Sequence, residues 1–216
     1  LYPMRTLASH IIGSVNREGN GSSGIEYKLN NLLLENNSPI KLTIDINIQY
    51  IVEQELKKQI EFFSALGGVG LVLNIKNGEL VAIASHPSYD SNYFNLANSL
   101  EKFNKATHGA YEMGSTFKLL NTAIAIDSGK IDFKDRFDTT KPIYIGKHLV
   151  SDYHFLEKPA GMAEILITSS NIGSALIAEI VGPKLQKNYM KKLGLLNKPD
   201  LPLAELANTI QPPIWS

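Results

Sequence analysis

Gly114-Ser115-Thr116-Phe117-Lys118-Leu119-Leu120-Asn121-Thr122-Ala123-Ile124-Ala125-Ile126 places a lysine inside an almost wholly apolar run. Apolar residues lie nearly all round the helix this spacing predicts from Ser115 to Ile126, so it reads as a core helix. Asp127-Ser128-Gly129 ends it. A buried lysine is costly unless paired or deprotonated, and burial lowers its pKa. Ser115 lies three residues earlier, on the same helical face. It also stands at the helix start, where backbone N–H groups are unpaired and the dipole is positive. These parts make a chemical unit: a weak hydroxyl nucleophile, a base to take its proton, and N–H donors for a developing oxyanion. The plain alternative is an N-capping serine beside a lysine whose amine reaches out to water.

Further along the chain, Met162 to Thr168 and Ile172 to Val181 read as helices, with Ser169-Ser170-Asn171 between them. Gly182-Pro183 breaks the second, and a last helix runs to about Leu193. Asp132 to Lys158 is polar and irregular, and Pro199 to Ser216, with four prolines, reads as extended. Before Ser115, Lys41 to Asp45 is a short strand, and Thr43 or Asp45 caps the helix that follows. Ile48, Ile51, Val52, Leu56, Ile60 and Phe63 form its apolar face, and Gly67-Gly68 ends it. Two apolar arms, Gly70 to Ile75 and Leu80 to Ala84, flank Asn77-Gly78. That pair is the signal for a two-residue type I′ hairpin, and the continuous apolar arms predict a sheet covered on both faces. His86 to Gly114 is mostly loop, with a short helix around Leu96 to Phe103. Strands and helices in mixed order give an α+β class with an antiparallel sheet packed by helices. The turn-rich stretch Asn36-Asn37-Ser38-Pro39 marks a boundary, separating a module of residues 1–38 from one of 39–216.

Composition narrows the function classes. Lys plus Arg and Asp plus Glu each number 21, so the net charge is zero. There is no global electrostatic attraction to nucleic acid or an anionic membrane. The chain has no cysteine, which excludes disulfides, thiolate catalysis and zinc–thiolate sites. Hydrophobic residues make up 44% and charged ones 19%, both globular values. The five histidines show no close metal spacing, so loop or surface roles are expected of them and no metal site. Asp152 and His154 are a candidate hydrogen-bonded pair in a polar loop. Tyr89, Tyr93 and Phe94 suit a groove or a core equally. Lys184, Lys187, Lys191 and Lys192 read as a solvated helix face. Asn20-Gly21-Ser22 and Asn36-Asn37-Ser38 match the glycosylation pattern.

The string Tyr111-Glu112-Met113-Gly114-Ser115-Thr116-Phe117-Lys118 with Ser169-Ser170-Asn171 resembles the S-x-x-K and S-x-N motifs of penicillin-recognising serine acyltransferases. The chain most resembles a class B penicillin-binding protein, a peptidoglycan D,D-transpeptidase of the division-specific type. Leu1-Tyr2-Pro3 through His10-Ile11-Ile12-Gly13, then Gly24-Ile25-Glu26, is similar to the end of that family's non-catalytic, pedestal-like module. Leu42-Thr43-Ile44-Asp45 with Ile48-Gln49 is similar to its entry into the transpeptidase domain. Met113 stands where the family usually has proline.

The resemblance implies a penicillin-binding/β-lactamase-like fold. In it Ser115 is the acylated nucleophile and Lys118 its general base. Ser169 relays a proton toward the leaving D-alanine, and Asn171 holds Lys118 and the substrate amide. It implies peptidoglycan stem peptides ending in D-Ala-D-Ala as substrate and β-lactams as covalent ligands. The implied partners are a membrane glycosyltransferase and division proteins, with no nucleic acid. The implied place is an inner-membrane anchor with the catalytic domain in the periplasm, acting at the division septum. The family's third motif, Lys-Thr/Ser-Gly, does not occur in these 216 residues. The chain is therefore expected to be a fragment without activity of its own. Two other readings stand beside this one: a class D-like serine β-lactamase, which Gly114 to Lys118 also resembles, and a non-catalytic module of a division complex.

Overall fold

The computed structural model describes residues 1–36 and 38–209. Asn37 in the proposed boundary loop, and residues 210–216 of the proline-rich end, lie outside the described residues. The fold is α+β with antiparallel strands, as the mixed order of elements predicts. The chain divides into two compact units, residues 1–110 with 198–208, and residues 111–197.

The first unit opens with α1 (Ser9–Ile12), β1 (Ser14–Val15), β2 (Gly21–Ser23), α2 (Gly24–Lys28) and α3 (Asn30–Glu35). Gly13 and Gly24 both hold positive φ where the backbones of β1 and β2 nearly touch. A Cβ on Gly13 would sit 1.9 Å from the Ser23 carbonyl oxygen. Long helix α4 (Ile46–Phe62) follows, then the hairpin of β3 (Gly68–Leu73) and β4 (Leu80–His86). A 3₁₀ turn (Ser91–Leu96) and short helices α5 (Ser99–Lys102) and α6 (Lys105–His108) complete the unit. α5 begins at a capping box of Asn98 and Glu101.

Asp45 does cap α4, accepting the amides of Asn47 at 2.9 Å and Ile48 at 3.1 Å. Residues 41–45 form no regular strand. They run beside β4 instead, through Asp45 N–H to the Val81 carbonyl and Thr43 Oγ1 to the Leu80 carbonyl. α4 ends at Phe62, before Gly67-Gly68, because Ser64 turns left-handed at φ 49°. Its buried face is rotated from the apolar stripe: Ile51 and Phe63 are exposed, whereas Gln49 is 0% exposed. The Gln49 amide donates to the Ile83 carbonyl at 2.9 Å and accepts the Ile83 amide at 2.8 Å. It thus acts as a one-residue strand partner for β4. Replacing Gln49 by leucine strands both Ile83 groups. The β4 amides should then lose about 2–4 kcal/mol of protection in hydrogen exchange.

The β3–β4 turn is not the expected two-residue type. Asn74 bonds Glu79 across a four-residue loop, the Gly78 amide reaches the Asn74 carbonyl, and Asn74 Oδ1 takes the Lys76 amide. These local side-chain bonds win over the Asn-Gly preference. Gly68 and Gly70 face α4, so a Cβ on Gly70 would lie 2.6 Å from Val52 Cγ1. β4 is covered on both faces, by α4 over Ala82 and Ala84 and by Ile11, Ile25 and Leu203 over Ile83. β3 is covered on one face alone among the described residues, since Leu71 points away from α4 and is 55% exposed. The two-sided covering therefore holds for one arm and fails for the other.

His10 and Tyr89 belong to the interior of this unit. His10 Nε2 meets the Glu101 carbonyl at 2.7 Å, its ring lies edge-on to Tyr89, and the Tyr89 hydroxyl donates to the Ser9 carbonyl. Tyr89 also packs edge-on to Phe94. Burial pushes the His10 imidazole down to about 4. The unfolded chain takes up that proton near pH 6.5. Stability is therefore lost as pH falls from about 6.5 to about 4, by about 3 kcal/mol in full. Glu53, raised by its own burial, takes up a proton early in the folded state and offsets part of the loss. Urea unfolding against pH should show the acid loss in the native protein and a flatter curve in His10→Gln.

The second unit packs α7 (Thr116–Asp127), α8 (Met162–Ile167), α9 (Asn171–Val181) and α10 (Pro183–Lys192) around Ile124, Ile131, Phe137, Met162, Ile165 and Ile177. These four helices match the expected ones within a residue or two. α7 is not buried all round, however. Ile124 and Ala125 are interior, but Leu119 is 63% exposed, because no described residue covers that face. The polar stretch 132–158 contains a hairpin that composition concealed, β5 (Ile143–Ile145) and β6 (His148–Val150), turning at Gly146-Lys147. Lys184, Lys187, Lys191 and Lys192 are exposed, as expected for a solvated face.

Candidate active site

Ser115, Lys118, Ser169 and Asn171 come together in the second unit. Gly114, at φ 53°, turns the chain into α7, and Ser115 sits at the N-cap. Its hydroxyl caps no backbone amide. It accepts a bond from Ser169 Oγ at 2.9 Å instead. The amides of Thr116, Phe117 and Lys118 bond back to the carbonyls of Met113, Gly114 and Ser115. The first turn is therefore tightened, and these three donors are not free as expected of a helix start.

Lys118, one turn on, donates to three acceptors: Ser169 Oγ at 3.0 Å, Asn171 Oδ1 at 2.6 Å and the Ser169 carbonyl. The contacts form a chain, Lys118 Nζ to Ser169 Oγ to Ser115 Oγ, so Ser169 stands between the amine and the first hydroxyl. Burial lowers the Lys118 pKa from the ordinary lysine value, and the negative charge of Asp152 pulls it back in part. Ser169 is held left-handed, at φ 53°. A non-glycine residue pays about 1–2 kcal/mol for that conformation, which here aims its hydroxyl between two other groups.

Asp152 was not legible as part of this site. No hydrogen bond joins it to His154, which packs edge-on against Tyr153. The Asp152 carboxylate instead accepts Ser170 Oγ at 2.5 Å, the Ile172 amide at 3.1 Å and the Asn171 amide. It closes the N-terminus of α9, where a negative charge is favoured. Ser170, as N-cap, takes the Gly173 amide at 2.9 Å. Asn171 Nδ2 donates to the Ser151 carbonyl at 2.9 Å, which leaves Oδ1 to face Lys118. The loop 151–152 therefore fixes both the backbone and the amide orientation of the S-x-N turn. Among the described residues no group of three or more metal-binding side chains occurs, and no helix is long and apolar enough to cross a membrane.

The second unit thus sets a serine and a lysine one turn apart, against a Ser-x-Asn turn. The sequence profile of the penicillin binding protein transpeptidase domain matches residues 68–216. The chain belongs to that family. It is 36% identical over 219 residues to a probable peptidoglycan D,D-transpeptidase FtsI of Caulobacter vibrioides, covering all of this chain and 37% of that protein. It is 29% identical over 222 residues to a probable peptidoglycan D,D-transpeptidase PenA of Neisseria gonorrhoeae, covering 90% of this chain and 38% of that one. Among solved structures it is similar to a putative peptidoglycan glycosyltransferase from Atopobium parvulum, at 26% identity and TM-score 0.83, over 96% of this chain and 52% of that one. Penicillin binding protein 3 of Mycobacterium tuberculosis shares the fold at TM-score 0.88 and 24% identity, over 99% of this chain and 50% of that one. The chain thus spans about two fifths of these curated relatives and half of the solved chains.

Proposed function

We propose that these residues form the nucleophile-bearing part of a peptidoglycan D,D-transpeptidase that cross-links stem peptides through a serine acyl-enzyme. The observation that supports it is the continuous bonded chain Ser115–Ser169–Lys118–Asn171, on helices that belong to the transpeptidase family. Once Lys118 is neutral, the Ser169 hydroxyl rotates to donate to its Nζ and to accept from Ser115, so that Lys118 takes the Ser169 proton while Ser169 takes the Ser115 proton. Ser115 Oγ then forms a bond to the D-Ala-D-Ala carbonyl, with the Ser115 amide assigned to the oxyanion. As the C–N bond breaks, the proton on Lys118 returns through Ser169 to the leaving D-alanine amine. An acceptor amine on a neighbouring strand reverses these steps and releases Ser115. β-lactams acylate the same oxygen, and the chemistry calls on no cofactor.

In this reading residues 1–38 are the end of a non-catalytic module and residues 39–216 the front of the transpeptidase domain. The protein is anchored in the inner membrane with this part in the periplasm. It works at the division septum with a membrane glycosyltransferase and other division proteins. The 216 residues are inactive alone, because no Lys-Thr/Ser-Gly string grips the substrate carboxylate. Labelling by a fluorescent penicillin separates the readings. The transpeptidase predicts weak or no labelling of the 216 residues and stoichiometric labelling of the full-length protein. Many turnovers of a chromogenic cephalosporin indicate a β-lactamase, and no labelling of either polypeptide indicates a non-catalytic module.

A further inference from the structure

We propose that Asn121 and Gln186 are positioning residues that hold Lys118 on the Ser-x-Asn turn; this rests on the reading of Lys118 as the base for Ser115. α7 and α9 are joined by two polar rungs. Lys118 meets Asn171 at 2.6 Å, and three residues further along both helices Asn121 Nδ2 donates to the Ser174 carbonyl at 2.8 Å. Asn121 Oδ1 in turn accepts Gln186 Nε2 of α10 at 3.1 Å, and the same Nε2 reaches the Ala178 carbonyl of α9 at 3.5 Å. The Asn121 amide therefore has one orientation that satisfies both ends, and Gln186 selects it.

Close packing does not do this work at the upper end of the helix pair. A cavity of about 270 Å³, lined by Phe117, Lys118, Asn121, Ser174, Gln186 and Met190 among others, borders the lysine stem. Apolar side chains that leave such a space fix helix register weakly, whereas directional hydrogen bonds fix it well. Ile165 and Ile177, which do not line it, are fully buried in the core below. Removing the second rung frees α7 to shift against α9 at the turn that carries Lys118, while the core keeps the unit folded.

The test measures penicillin acylation of the full-length protein, resolving the dissociation constant of the first complex from the acylation rate constant. Asn121→Ala is expected to lower the acylation rate constant about tenfold and Gln186→Met about fivefold, each with the dissociation constant within twofold. The double variant Asn121→Ala with Gln186→Met should match Asn121→Ala alone, since Gln186 acts through Asn121. An unchanged rate in Gln186→Met, a loss confined to the dissociation constant, or additive losses in the double variant would overturn the proposal. If Asn121→Ala does not fold, Gln186→Met, at a partly exposed position, decides alone. If the native protein is not acylated at all, the transpeptidase reading fails. The rung is then judged by NMR titration of the Lys118 side chain. Asp152 is the charged group acting on that amine; α7, α9 and α10 present it with neutral Ser115, Asn171 and Gln186. Loss of the rung should bring water to the lysine and raise its pKa toward the ordinary value in Gln186→Met. An identical titration in both proteins would overturn the rung.

Discussion

Lys118→Met in the full-length protein should lower the second-order rate constant of penicillin acylation by about a thousandfold, within the usual span for a positioned general base. Methionine keeps the length and the apolar stem, so folding should survive. It removes the proton acceptor and the donors to Ser169 and Asn171 together. The pH profile gives the sign. Burial lowers the Lys118 pKa below the ordinary lysine value, and in the proposed mechanism the neutral amine is the active form. Native acylation should therefore rise with pH through that lowered pKa, and Lys118→Met should lose the rise. A flat profile in the native protein, or a retained slope in the variant, would remove Lys118 from the base role.

Asp152 carries the second large effect, and two substitutions separate its parts. Asp152→Ala takes away three acceptor bonds and leaves the first amides of α9 unpaired. Hydrogen bonds to a charged group are worth about 1.5–3 kcal/mol each. The 169–172 turn should loosen, with faster exchange of the Asn171 and Ile172 amides and an acylation loss of about a hundredfold. Asp152→Asn keeps an oxygen for the two amides but removes the charge. Asp152 is what raises the Lys118 pKa, so removing its charge lowers that pKa further. The acylation profile should then shift to lower pH, with less than a tenfold loss at its plateau. A profile of Asp152→Asn that moves to higher pH, or an Asp152→Ala as active as the native protein, would contradict this account.

The helices of the second unit were legible because their signals are local. Apolar spacing gives α7, α8 and α9, Gly182-Pro183 separates α9 from α10, and the S-x-x-K and S-x-N strings fall on helix starts. Asp152 was hidden because its partners are 18 to 20 residues away in sequence and its own loop is polar without period. The one available hint, a carboxylate next to a histidine, pointed at the wrong neighbour. The role of Gln49 had no local signal either. A polar residue beside an apolar stripe reads as exposed, yet the free edge of β4 needed a donor and an acceptor, and one amide supplies both. Asn77-Gly78 signalled a turn correctly but not its type, since Asn74 and Asn77 each bond nearby backbone. The exposed faces of β3 and α7 explain why continuous apolar runs overstated burial. Such runs show that a surface suits covering, not that the described residues cover it.

In the proposed mechanism Ser115 is the acylated nucleophile, reached by Lys118 through Ser169. This role is tested most directly by incubating the full-length protein with a penicillin, digesting it, and locating the added mass by peptide sequencing in a mass spectrometer. One adduct per molecule is expected, on Ser115, absent in Ser115→Ala although that variant folds. An adduct on Ser169 or any other residue, or undiminished labelling of Ser115→Ala, would contradict it.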